Sequence, residues 1–151
     1  MFWISRGFQP RIDRATLSGD SKTTLVSLGS SWWPNRPNGI TLDFSANRLY
    51  WIDSRLGRIE SIDYNGNNRQ HFMTLSFSSN SYDIVLYNGV FYYSDTSSQS
   101  IDKIDKATKQ SLGSYTGLGA SNVLRLAMFS PARQPKGMYL STHSEIGAAV
   151  T

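Results

Sequence analysis

The chain contains no cysteine among its 151 residues. That absence excludes a disulfide framework, a thiolate zinc site and a thiol nucleophile. It leaves the compartment open, because a cysteine-free chain suits the cytosol and a well-packed extracellular domain equally. Charge is sparse as well: 17% of residues are Asp, Glu, Lys or Arg, against about 25% in an average soluble domain. A helical bundle or coiled coil needs more Glu, Lys and Arg than this. No stretch approaches the roughly 18 apolar residues of a membrane-spanning helix, and no segment carries a helical apolar stripe. The sequence also lacks a Gly-x-x-x-x-Gly-Lys phosphate loop, a Gly-x-Ser-x-Gly elbow, a His-x-x-x-His pair and an Asn-x-Ser/Thr sequon.

What remains points to strands. Hydrophobic residues make up 39% of the chain, too many for a disordered segment, and aromatics 13%. Twelve glycines, many serines and β-branched runs suit strands joined by tight turns. The length fits one domain or a piece of one. The formal charge is +4 and the pI is near 9.5, yet the 15 basic residues are scattered with no run of more than two. Such a pattern makes a solvated surface and predicts no nucleic-acid partner.

The chain repeats itself. Phe2-Trp3-Ile4-Ser5, Tyr50-Trp51-Ile52-Asp53 and Tyr92-Tyr93-Ser94-Asp95 align, with their second positions 48 and then 42 residues apart. Each is followed by a second matching piece: Arg11-Ile12-Asp13-Arg14-Ala15, Arg58-Ile59-Glu60-Ser61-Ile62 and Ser100-Ile101-Asp102-Lys103-Ile104. Within a unit the pattern alternates, so Leu49, Trp51 and Asp53 point to one face and Tyr50 and Ile52 to the other. Aromatics on both faces predict a sheet packed between two neighbouring sheets. Another run precedes each full motif, Gly39 to Phe44 and Asp83 to Tyr87, and Asn88-Gly89 is a strong hairpin signal. Each unit therefore reads as four short strands in a β-propeller blade, and the predicted fold class is all-β.

The ordered motifs carry a specific resemblance. Pro37-Asn38-Gly39-Ile40-Thr41-Leu42-Asp43 is followed by Arg48-Leu49-Tyr50-Trp51-Ile52-Asp53, then Arg58-Ile59-Glu60, then Asn65-Gly66-Asn67-Asn68-Arg69. This order resembles the class B, or YWTD, repeat of the low-density lipoprotein receptor family, most closely its Wnt co-receptor branch, over residues 1–135. The resemblance implies a six-bladed extracellular propeller that binds secreted protein ligands (Wnt, antagonist or lipoprotein type) on one face and carries no catalysis or cofactor. The expected organisation is the outer strands of one blade at 1–26, full blades at 38–73 and 81–113, and a closing inner strand at 122–130. Residues 136–151 form a non-matching tail. The tally is about three blade-equivalents, so the chain is expected to be a fragment of a membrane-anchored receptor, itself without a signal peptide. A homodimer in which the closing strand of one copy completes the first blade of another is a further expectation.

The site residues follow from the resemblance. The loop Ser30 to Gly39 contains Trp33-Pro34-Asn35 and Pro37-Asn38-Gly39, where family members have a single Trp-Pro-Asn-Gly, so Asn35 and Asn38 both inherit the ligand-facing asparagine role. A tryptophan beside an amide on a rigid loop has hot-spot chemistry: large desolvated area with a paired donor and acceptor. Trp33 is accordingly a candidate, and Arg6, Tyr82 and Thr96 are expected on the same face. Trp3, Tyr50, Trp51, Asp53, Tyr92, Tyr93 and Asp95 are assigned to the structural motif. His71 and His143 are expected to be solvated. Two rivals share the architecture: a nidogen-like matrix protein that binds laminin, and a propeller enzyme such as a metal-dependent lactonase, for which Asp43 and Asp83 are the available inner-strand carboxylates.

Overall fold

A computed structural model describes residues 1–29, 35–75, 80–117 and 125–127. These residues contain no helix. Eleven strands form three antiparallel sheets: β1 (Phe2–Ser5), β2 (Arg11–Arg14) and β3 (Thr23–Ser27); β4 (Pro37–Asp43), β5 (Arg48–Asp53), β6 (Arg58–Asp63) and β7 (Gln70–Thr74); and β8 (Ser81–Tyr87), β9 (Val90–Asp95), β10 (Ser100–Asp105) and β11 (Ser111–Tyr115). Each sheet is an up-and-down meander with sequential neighbours hydrogen-bonded.

Local chemistry sets the turns. Tyr87 pairs with Val90 across Asn88-Gly89, and both turn residues have positive φ, 46° and 77°, as a type I′ hairpin requires. The matching turn in the preceding sheet is longer: Asp43 pairs with Arg48, and Asn47 takes the left-handed conformation. Register irregularities recur at equivalent places. They lie between Pro37 and Ile40 and between Ser81 and Ile84 in the first two strands of the full sheets. They recur between Ile12 and Asp13, Ile59 and Glu60, and Asp102 and Ile104 in the outer pairs. Bulges bend a strand and sharpen its local twist.

Packing joins the sheets face to face. Leu49, Trp51 and Ile62 pack against Ile12, Leu25 and Leu28 of the first unit, while Tyr50, Ile52 and Ile59 pack against Ile84, Phe91 and Ile104 of the third. The middle sheet is thus buried on both faces, which is the arrangement that period-two alternation with aromatics on both sides demands. Tyr50, Phe72 and Phe91 form a trio with centroids 4.9–5.4 Å apart, each pair contributing about 0.5–1.5 kcal/mol beyond its buried area. The three sheets are blades of an incomplete β-propeller.

The inner strands approach closely. A Cβ on Gly39 would lie 2.5 Å from the Ile84 amide nitrogen and 2.6 Å from Asp83 Cα, so only glycine permits this contact between β4 and β8. Side chains of β4 also serve backbone groups of β8: Leu86 N–H donates to Thr41 Oγ1 at 3.0 Å, and Asn38 Nδ2 donates to the Ser81 carbonyl at 2.9 Å. Further along, Leu126 N–H donates to Asp83 Oδ2 at 3.0 Å, which sets residues 125–127 beside β8. Of the expected closing strand 122–130, these three residues are described and they form no strand; the Leu126 amide is engaged by a carboxylate instead of a ladder partner. The tail 136–151 lies outside the described residues.

Candidate ligand-binding face

One end of the blades carries the β1–β2, β5–β6 and β9–β10 turns together with the chain entering β4 and β8. Two aspartates at the ends of the aromatic motifs shape it. Asp53, with no exposure, accepts N–H groups of Arg55, Leu56 and Arg36 on Oδ1 at 3.0–3.2 Å. Asp95 does the same for Ser97, Ser98 and Asn80 at 2.8–3.4 Å. Each carboxylate therefore folds its own turn and fastens the strand entrance beside it. A second clip reinforces the first: Ser54 N–H donates to the Arg36 carbonyl at 3.1 Å, and Thr96 N–H and Oγ1 donate to the Asn80 carbonyl at 3.2 and 3.0 Å. In the first blade Ser5 replaces the aspartate, and its hydroxyl donates to Asp13 Oδ2 at 2.9 Å. The β1–β2 turn is correspondingly different, and Phe8 at its tip is 68% exposed.

Three of the residues assigned to ligand contact come together here. Arg6 Nη2 donates to the Asn38 carbonyl at 3.3 Å, and its guanidinium lies 5.4 Å from the Tyr82 ring centroid. Arg125 lies 5.8 Å from the same ring. Stacking on an aromatic face holds a guanidinium in place without neutralising it. Beside this group is an open cleft of about 270 Å³, with Arg6, Gly7 and Pro10 on one side and Asn35, Arg36, Pro37, Asn38 and Arg55 on the other. Asn35 and Asn38 both line it. Thr96 is on the same end but its hydroxyl is engaged by Asn80, and it does not line the cleft. Trp33 lies outside the described residues.

The motif aromatics sit elsewhere, inside the blades, while Asp53 and Asp95 hold the turns of this end. Trp51 has no exposure and Tyr50 is 4% exposed; Trp3, Tyr92 and Tyr93 are partly buried. Burial, followed by the charges of Asp102 and Asp95, pushes the Tyr93 phenol up to about 12, so it stays protonated. Of the two histidines His71 is described: it is exposed and contacts Thr74 Oγ1 at 3.1 Å. The inner-strand acids are engaged too. Asp43 takes Ser45 and Ala46 on Oδ1 and is ion-paired with Lys106 through Oδ2, while Asp83 takes Ile84 N–H and Leu126 N–H. Among the described residues no group of three or more His, Cys, Asp or Glu side chains converges on one point.

Two further sets of residues carry no assignment from the sequence. One is the carboxylate standing opposite each motif aromatic in the ladder: Asp13 across from Trp3, Glu60 from Trp51 and Asp102 from Tyr93. Each is tied to the strand edge beside it. Asp13 accepts from Thr24 and Arg11, Glu60 from Arg69 with Arg58 nearby, and Asp102 from Ser100 and Ser114. The repeat of an acid two residues after Arg11, Arg58 and Ser100 was the available signal. The other set is Arg36, Arg55 and Arg125. They occupy non-equivalent repeat positions, so no periodicity announces them.

Comparisons with known proteins agree with this architecture. Residues 47–76 match the low-density lipoprotein receptor repeat class B. Over 137 residues the chain is 28% identical to the Drosophila melanogaster vitellogenin receptor Yl, covering 89% of this chain and 6% of that receptor. The chain thus spans a small part of its curated relative. Among solved structures it resembles one from a nidogen/laminin complex, with TM-score 0.63 and 22% identity, over 76% of this chain and 42% of that one. It also resembles the calcium-binding protein regucalcin from Agrobacterium tumefaciens, with TM-score 0.58 and 14% identity, over 71% and 36% of the two chains. These two likenesses establish the propeller fold.

Proposed function

We propose that this chain, a partial propeller carrying the low-density lipoprotein receptor class B repeat, is the ligand-binding part of an extracellular receptor ectodomain and acts by capturing a secreted protein. The observation that carries the reading is the convergence of Arg6 with Asn38 and Tyr82 beside one cleft, the latter two at the β4 and β8 entrances that Asp53 and Asp95 fasten. Tyr and amide groups on fastened strand entrances, with an arginine held on the tyrosine ring, lose little freedom on binding, which is where interface energy concentrates. Binding without catalysis fits the use of both strand-end carboxylates as backbone acceptors.

Two ligand classes belong to this reading. Motif order favours a Wnt co-receptor type of ligand, and the similarity to a vitellogenin receptor favours a lipoprotein type. Immobilised chain exposed to vitellogenin and to a Wnt antagonist separates them. Asn38→Ala is expected to weaken the ligand that binds by about tenfold, with a melting point only a few degrees lower from the lost Ser81 hydrogen bond. Unaltered binding by both Asn38→Ala and Arg6→Ala would remove the face from the proposal. The reading also includes a two-chain ring in which β1, an edge strand, is completed by a second copy. A monomer in light scattering would remove that part.

A further inference from the structure

We propose that the cleft bounded by Arg6, Arg36 and Arg55 receives the carboxylate side chains of an acidic segment of the protein ligand, with Phe8 and Leu56 contacting the apolar residues between them. This rests on the reading of the same end of the blades as the ligand face and specifies its chemistry. Arg6, Arg36 and Arg55 line the cleft with Asn35 and Asn38, and among the described residues no Asp or Glu does. The carboxylate of Asp53 is fully buried behind it, with Oδ1 taking three backbone amides and Oδ2 enclosed without a hydrogen-bond partner. Arg125, held over Tyr82, adds a fourth cation to this end.

The opposite end has a different balance. There Asp20, Asp63 and Asp105 stand in or beside the turns, Asp43 pairs with Lys106, and Arg14 and Arg48 donate to Tyr64 and Asn68 carbonyls. At the cleft end the strand-end carboxylates, Asp53 and Asp95, are buried under their turns, so among the described residues the arginines dominate the exposed charge and attract anions at a distance of about one Debye length.

The cleft suits single side chains. A volume near 270 Å³ admits one or two of them at a time. Guanidinium groups bind carboxylates in bidentate geometry, which compact ammonium groups do not. Apolar contact is provided beside the charge: Phe8 is 68% and Leu56 42% exposed, on the two turns that flank the cleft. Their backbone is held in place, since Pro10 is buried with its carbonyl accepting Leu28 N–H at 2.8 Å and Leu56 N–H is bound by Asp53.

The test uses the full chain and fluorescein-labelled peptides of alternating glutamate and leucine, with a lysine–leucine peptide and a heparin oligosaccharide as comparisons. The glutamate peptide is expected to bind, to weaken as salt is raised, and to lose about five- to tenfold in affinity with Arg36→Ala or Arg55→Ala. Arg36→Lys, which keeps the charge but not the fork, should recover only part of the loss, and melting curves establish that each variant is folded. Equal binding of the glutamate and lysine peptides would overturn the proposal, as would heparin binding more tightly through the same arginines. If the glutamate peptide fails while Asn38→Ala still weakens capture of a protein ligand, the acidic chemistry is wrong and the face stands; if neither responds, the face itself is wrong.

Discussion

The inner-strand contact at Gly39 gives the sharpest test of blade packing. In Gly39→Ala the new methyl would sit 2.5 Å from the Ile84 amide nitrogen and 2.6 Å from Asp83 Cα, against about 3.4 Å for ordinary contact. These are backbone atoms of β8, so no side chain can swing aside. Relief requires β4 and β8 to separate by nearly 1 Å, and that movement stretches the Asn38–Ser81 and Leu86–Thr41 hydrogen bonds. Overpacking of this kind costs about 1–3 kcal/mol, and each hydrogen bond weakened adds up to about 1 kcal/mol. A loss of roughly 2–4 kcal/mol is a large share of a domain's total of about 5–15 kcal/mol, and it corresponds to a melting point lower by about 10 °C. Circular dichroism melts of Gly39→Ala beside Phe44→Ser, a change at a 69% exposed side chain, measure it. If Gly39→Ala melts within about 2 °C of the parent, on the scale of a surface substitution, then β4 and β8 do not touch as described and the propeller packing is refuted.

Two further outcomes follow from the buried carboxylates. Burial tends to raise Asp13, but hydrogen bonds from Thr24 and Ser5 and the charge of Arg11 outweigh it. Burial likewise opposes the Lys106 and Ser45 hydrogen bonds at Asp43, and both groups end below the ordinary aspartate value. A carboxyl depressed in the folded state stabilises it above the unfolded value and loses that contribution as pH falls through the folded one, so stability should drop below about pH 5. Asp13→Asn and Asp43→Asn should lower the melting point at neutral pH and flatten the acid limb; an unchanged limb in both would contradict the assignment. Glu60→Gln should cost about 1 kcal/mol, because Arg58 and Arg69 lose their charged acceptor but are themselves part-exposed and can turn to water. Urea titration reads it, and a gain in stability would show the carboxylate to be a net burden.

The residues themselves determined the unit and its internal order. Tyr50-Trp51-Ile52-Asp53 alternates between faces whatever surrounds it, because successive strand side chains point to opposite sides. Asn88-Gly89 accepts the two left-handed positions of a hairpin turn without help from the rest of the chain. The alternation within each strand and the position of that turn are therefore local properties, legible in one dimension. The cleft is not local. It lies between the β1–β2 turn of the first blade and the β4 entrance and β5–β6 turn of the second, where Asp53 reaches back to Arg36, contacts between segments whose separation no period encodes. Arg6, Arg36, Arg55 and Arg125 come from different repeats at unlike positions, and only the stacking of blades brings their charges to one end. Tertiary structure decided the charge of the face for that reason: an electrostatic potential sums over space, while a repeat is read along the chain.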